Sequence, residues 1–209
     1  MMSRKILLVL AVLGLGGCRI VSQQELADLK SPPNPLMKNV PKTWQDKMVL
    51  QFVHQARPVA ELLADLKNAK DFDSACKSLG YRVSDENPCV FFVKVQGQIK
   101  NIDTTSRNGK MTVLDQSGET VTVQVGPILR GTLLRDGYKG INYQDFNDQV
   151  KFGDYGRAIN DQAVKTINAA RLKVGETRQI YGVFSSWDTP TQITEITPAQ
   201  FSQGEGESK

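Results

Sequence analysis

Val90-Phe91-Phe92-Val93-Lys94-Val95-Gln96-Gly97-Gln98-Ile99 follows Pro88 and is dense in β-branched and aromatic residues, with polar side chains alternating from Lys94 onward. Such a run reads as one long strand, bent at Gly97, where the missing side chain lets another backbone come close. Downstream, Asn108-Gly109 is a turn, Lys110 to Leu114 a second strand, Ser117-Gly118 another turn, and Thr120 to Val125 a third strand with its valines on one face. After a polar stretch dotted with aromatics, Tyr155, Ile159, Ala163, Ile167 and Ala170 mark one face of a helix over residues 152–172. Lys173-Val174-Gly175-Glu176 turns the chain into a fourth strand, Thr177 to Phe184, and Gln192 to Ile196 reads as a fifth.

Upstream of the first strand the pattern is helical. Met48, Phe52, Val59, Leu62, Leu63 and Leu66 recur at spacings of three, four and seven. Thr43 is the expected N-cap of a first helix, Pro58 opens a second, and a third runs from Asp71 to Leu79 and stops at Gly80. Three strands, a helix and two strands is the order of the OB-fold, a five-stranded Greek-key barrel. The expected architecture is therefore α+β: an N-terminal helical segment (43–87) packed on an OB-fold-like five-stranded antiparallel β-barrel (88–202), with a helix between strands three and four.

The first residues carry a different message. Arg4 and Lys5 precede an apolar run from Ile6 to Leu15, broken only by Gly14. This is a secretion signal, too short to remain as a membrane span of about 20 residues. Leu15-Gly16-Gly17-Cys18 then fits a lipobox, in which residues 1–17 are cut away and Cys18 is alkylated by a diacylglycerol. The new amino terminus can accept a further acyl chain such as palmitate, and two or three chains anchor stably where one would not. Arg19, not Asp, follows Cys18, so the inner-membrane retention signal of enteric bacteria is absent. That mildly favours the outer membrane for a periplasmic, lipid-anchored protein. Pro32, Pro33, Pro35 and Pro41 punctuate a polar tether over 18–42, and residues 203–209, of Gly, Glu, Ser, Gln and Lys, read as a disordered tail.

Charge and cysteine content narrow the function classes. The 209-residue chain has 26 basic and 22 acidic side chains, and two of the basic ones leave with the signal. So even a balance does not suggest a nucleic-acid partner, and none is expected. With Cys18 committed to lipid, Cys76 and Cys89 are left to form one disulfide in an oxidising compartment, worth up to about 3 kcal/mol by chain entropy. Two sulfurs and the single histidine, His54, do not make a metal site. No Gly-x-Ser-x-Gly surrounds a serine, the carboxylates are scattered, and Gly153 and Gly156 lack the following lysine and hydroxyl of a phosphate loop. Neither catalysis nor a cofactor is expected.

Gly126-Pro127, Arg130-Gly131-Thr132, Arg135-Asp136, Asp145-Phe146-Asn147-Asp148-Gln149 and Arg157-Ala158-Ile159-Asn160 follow one another in this order. With the lipobox and the helical segment they resemble a family of uncharacterised predicted periplasmic lipoproteins of bacteria. The resemblance implies no activity; it does imply an association with sugar ABC transporters, beside which members are often encoded. Gly137-Tyr138 departs from the family pattern, so contacts of that loop transfer least.

The same segment sets Arg130, Arg135, Asp136, Asn147, Gln149 and Asn160 among apolar residues, and polar groups at that density must satisfy one another or a ligand. One reading is structural, with Arg135 and Asp136 bonded to the backbone of a crossover and Asn147 and Asn160 capping helices. The other gives a ligand site in which arginine forks and amides take a carboxylate, phosphate or sugar hydroxyl. Tyr81, Tyr138, Tyr143 and Trp187 are candidates for stacking on a sugar ring. Two functions follow: an accessory binding module that contacts a periplasmic sugar-binding protein or an ABC transporter, or a structural envelope lipoprotein that binds another protein and has no solute site.

Overall fold

The computed structural model describes residues 21–23, 25, 26 and 34–203. The signal peptide at 1–17, Cys18, most of the tether and residues 204–209 of the tail lie outside the described residues. The chain divides into two compact units, residues 1–34 and 35–209. In the first, the Glu25 and Leu26 N–H groups donate to the Ser22 hydroxyl and carbonyl at 3.1 and 2.9 Å, which makes one helical turn.

The second unit opens with α1 (Pro35–Lys38), α2 (Val40–Thr43), a π-helical stretch (Trp44–Met48) and α3 (Val49–Gln55), helical without interruption over 40–55. Val40, Trp44, Met48 and Phe52 recur every fourth residue, and each is at most 3% exposed. Four residues of α-helix turn through about 400°, so an exact fourfold spacing would drift about 40° per step. The wider π turn takes up that drift and keeps the stripe on the core. Packed chain thus begins ahead of the expected boundary at 43, and Thr43 lies inside the helix and not at its cap. Pro35 and Pro41, which read as tether punctuation, stand in first helical turns, where a missing N–H costs nothing. After α4 (Val59–Asn68), α5 (Phe72–Leu79) begins with Asp71 accepting from the Ser74 N–H at 2.7 Å and ends at Gly80.

The quoted apolar stretch lies in β3 (Cys89–Asp103), the centre of the sheet. One edge pairs along residues 89–98 with β6 (Thr177–Ser186). The other pairs first with the two-residue β1 (Arg57–Pro58) and β2 (Gly80–Tyr81), then from Gly97 with β4 (Lys110–Asp115). A Cβ at Gly97 would collide with the Leu114 carbonyl, so the predicted bend is where β4 closes in. β5 (Thr120–Gln124) extends β4, and β7 (Thr197–Gln203) extends β6, giving the order β5-β4-β3-β6-β7.

Two expectations are corrected here. The sheet has seven strands and is not a closed barrel: β5 and β7 form no ladder, and a single parallel bridge joins Val123 of β5 to Ile196, the residue ahead of β7. The last strand is Thr197–Gln203 and not Gln192 to Ile196. Pro198 disguised it; it is tolerated at the edge, where the β6–β7 register shifts beside Gly182. Gln124, 7% exposed, adds a polar pin by donating to the Thr197 hydroxyl at 3.1 Å.

Between β5 and β6 run α6 (Leu133–Gly137), a 3-10 turn (Tyr143–Asp145) and α7 (Gln149–Ala170). Asp148 caps α7 through the Val150 and Lys151 N–H groups at 2.9 and 3.1 Å. Tyr155, Ile159, Ala163 and Ile167 face the core as the periodicity predicts. Neighbouring residues of a strand point to opposite faces. Phe52 stacks on Phe92 at 5.9 Å while Phe72 meets Phe91 edge-on at 6.3 Å, so helices cover both faces at this end of β3. Here too the predicted disulfide forms between Cys76 of α5 and Cys89, the first residue of β3.

Candidate functional site

The six predicted contact residues do not converge on one place. Arg135 and Asp136, consecutive in α6, are the pair that share a cleft. The Arg135 guanidinium donates through Nε and Nη2 to Asp136 Oδ1 at 2.9 and 2.6 Å, through Nη2 to the Thr132 hydroxyl at 3.1 Å, and through Nη1 to the Phe152 carbonyl at 3.1 Å. Its central carbon lies 3.8 Å from the centroid of the Phe152 ring. Most of its donors are thus spent inside the protein, though on the side chains of Asp136 and Thr132 more than on the crossover backbone that the structural reading expected. Asp136 keeps Oδ1 for Arg135 and Oδ2 for the Thr132 hydroxyl at 2.8 Å, and its side chain is 37% exposed.

The cleft beside them has a volume of about 220 Å3. Its polar lining is Arg82, Asn87, Arg135, Asp136 and Asn142, and its apolar lining includes Val90, Ile141, Tyr143 and Phe152. Arg82, Asn87 and Asn142 were not singled out from sequence. Arg82 and Asn87 sit in the loop that the disulfide closes, and the bond between Cys76 and Cys89 brings that wall to the cleft. Arg82 holds Asp73 and Asp85 at 2.9 and 2.6 Å, both through Nη2. Asn142 opens the 3-10 turn in a reciprocal capping box with Asp145. Of the four aromatic candidates, Tyr143 lines this cleft with 44% of its surface exposed, whereas Tyr138 is buried in the core. Tyr81 is half-buried with the Lys139 ammonium 5.4 Å from its ring centroid, and Trp187 stands 67% exposed just after β6.

The remaining predicted residues are dispersed. Arg130 reaches Glu195 with Nη2 at 2.9 and 3.0 Å, and Lys110 joins the same carboxylate at 3.1 Å, in an exposed network of small energetic weight. Asn147 is exposed in the left-handed region at φ 48°, a conformation asparagine tolerates, and Gln149 is the exposed first residue of α7. Asp148, not Asn147, is the cap.

Asn160 is no cap either. It lies in the middle of α7, 8% exposed, and its Nδ2 donates to the carbonyls of Gly131 at 2.8 Å and Leu129 at 3.4 Å. Its Oδ1 is buried and has no hydrogen-bond partner among the described residues. A buried acceptor left unpaired costs about 1–3 kcal/mol. Asn160 lines a second cleft, of about 520 Å3, between α7 and the segment 127–129. Among the described residues no group of three or more histidine, cysteine, aspartate or glutamate side chains has the arrangement of a metal site.

A model of the family described as predicted periplasmic lipoprotein (DUF2291) matches residues 8–202. The chain belongs to that family. The match takes in the end of the expected signal, the expected lipobox and both clefts, so the protein is a member of a family of predicted periplasmic lipoproteins of unknown function. Among solved structures, an OB-fold protein from Thermotoga maritima is similar at 13% identity and a TM-score of 0.58, covering 81% of this lipoprotein and 97% of that chain. This likeness bears on the fold alone. An OBody bound to hen egg-white lysozyme aligns at 18% identity over 53% of this lipoprotein and 78% of that chain, with a TM-score of 0.25 that carries no argument. No curated protein matches the lipoprotein.

Proposed function

We propose that the protein is a non-catalytic binding module, held by lipid on Cys18 at the periplasmic face of a membrane, with the outer membrane mildly favoured. Its cleft beside Arg135 takes a small hydroxyl-rich solute, and the module serves sugar ABC transport through contact with a periplasmic sugar-binding protein or the transporter. The observation that carries this reading is the composition of that cleft. Arg82, Asp136, Asn87 and Asn142, which carry guanidinium, carboxylate and amide groups, line it together with Val90, Ile141, Phe152 and the exposed Tyr143. Sugars present hydroxyl edges and an apolar face, and this lining answers both. At about 220 Å3 the space lies below the roughly 300–1,000 Å3 of larger-ligand pockets, which suits a single small ring. The transport association is drawn from the family resemblance.

A second reading is a structural envelope lipoprotein that binds another protein and no solute. It is favoured by the internal commitment of Arg135 and by the exposure of Val83 and Trp187, at 59% and 67%.

Thermal unfolding of the full-length protein in detergent, screened against monosaccharides, sugar acids and phosphates, separates the two. A specific ligand at a hundred times its dissociation constant adds about 2.7 kcal/mol, a rise of several degrees. That rise is expected for a subset of sugars, with loss of most of it in Tyr143→Ala, whose ring is exposed and whose own fold should persist. A flat response across the panel would sink the solute site and turn the search to a protein partner, by crosslinking in intact cells.

A further inference from the structure

We propose that a cavity at a gap along β3 is a further ligand site, separate from the one at Arg135, and that it takes a small organic anion: a carboxylate or phosphate on a short apolar body. On one edge of β3, β1 pairs as far as Lys94 and β4 pairs only from Gly97, so among the described residues no strand lies beside Val95 and Gln96 there. The gap opens a cavity of about 330 Å3. Pro58, Val59 and Ala60 close one end of it, and the turn residues Asp115, Gln116 and Ser117 the other.

Strand geometry fixes which side chains share this cavity. Neighbouring residues of a strand alternate faces, and directly opposed residues of paired strands share one. Lys94 stands opposite Tyr181 and Gln96 opposite Gln179, so the four project from one face, and Gln179 is a diagonal neighbour of Lys94 within about 8 Å. Lys94, Tyr181 and Gln179 are half-buried and line the cavity. The Lys94 ammonium, the Tyr181 hydroxyl and the Gln179 amide have no hydrogen-bond or ion-pair partner among the described residues, and all remain open to solvent: the side-chain polar atom there that is both buried and unpaired is Asn160 Oδ1. Asp115 does not neutralise Lys94. It stands opposite Gly97, on the other face of the sheet, and its Oδ1 accepts from the Ser117 N–H and hydroxyl at 2.9 and 2.7 Å and from the Glu119 N–H at 2.8 Å. A cation would meet Lys94. A hydrocarbon would leave three polar groups unused, and a neutral polyol would leave the charge unused. An oxyanion accepts from all three, with its apolar body along Pro58, Val59 and Ala60.

Titration of the 15N-labelled full-length protein in detergent with sodium n-butyrate and with n-butyl phosphate, at fixed ionic strength and followed at the backbone amides of Lys94, Gln179 and Tyr181, tests this. A saturable shift is expected with the anions and not with n-butanol or n-butylammonium chloride. The head group that binds more tightly, carboxylate or phosphate, distinguishes the two sources. Lys94→Gln should weaken binding about tenfold, the weight of one charge-assisted hydrogen bond, and Lys94→Arg should keep most of it. Since Lys94 has no partner to lose, Lys94→Gln should unfold at the native temperature. Tyr181→Phe removes only a hydroxyl, should weaken binding about threefold, and decides the matter if Lys94→Gln does not fold. Absence of a saturable shift with either anion, an equal response to n-butanol, or native affinity in the folded variant overturns the proposal. No outcome depends on sugar binding at the Arg135 cleft, whose lining residues are all different.

Discussion

Tyr155 is 1% exposed, and burial pushes its hydroxyl up to about 12, with Tyr138 and Asp145 adding to the shift. Below pH 10 the phenol is protonated in both folded and unfolded chains, so its contribution to stability is fully present. Between pH 10 and 12 the unfolded chain loses the proton and the folded one keeps it, so stability falls as pH rises. The loss reaches on the order of 2–3 kcal/mol by pH 12. Urea midpoints measured from pH 9 to 12 should fall steeply in the native protein and more gently in Tyr155→Phe. A residual slope is expected from Tyr138, which burial also raises. Equal slopes in the two proteins would refute the assignment. Arg135 shows what was legible at this scale. Its place in a polar segment among apolar residues marked it as a group in need of partners, and it has them. No sequence pattern could show that those partners are its own neighbour Asp136, Thr132 and the carbonyl of Phe152, because the last is brought in by the first turn of α7. The orphan of Asn160 was equally out of reach, since it depends on where the 129–131 backbone passes.

Elements were legible where periodicity is long. β3, β4, β5, α7 and β6 each present a run of alternating or helical pattern that their burial confirms. β1 and β2, of two residues each, carry no pattern at all. β7 was misplaced because Ile193 and Ile196 are buried without being in a strand, while Pro198 reads as a strand breaker. The disulfide ties two of these scales together, since it joins α5 to β3 and closes the loop that carries Arg82 and Asn87. Replacing Cys76 and Cys89 by serine should cost about 3 kcal/mol, the chain entropy of a loop of this length. Denaturant unfolding measures it. Reduction of the native protein should also free the 82–88 wall, so any sugar affinity found for the Arg135 cleft should fall with it. A stability loss without an affinity loss would place that wall outside the site.

At the scale of the whole molecule, the OB-type strand order was legible and its closure was not. Closure depends on how β5 meets the chain that enters β7, and that meeting is one bridge between Val123 and Ile196, too short to leave a trace in sequence. Attachment is a separate matter, which the sequence reading assigns to the first eighteen residues. Among the described residues no helix is long and apolar enough to cross a membrane. If lipid on Cys18 is the anchor, then two or three acyl chains supply binding that no surface of the folded unit has to provide. Cys18→Ala should therefore move the protein from the membrane fraction to soluble or uncleaved forms, with the thermal unfolding of the folded unit unchanged. Fractionation of cells expressing each form, followed by mass measurement of the native amino terminus, gives the outcome. Continued membrane association of a cleaved Cys18→Ala protein would mean that a protein surface, and not lipid, holds it there. The exposed Val83 and Trp187 would then be the first residues to change.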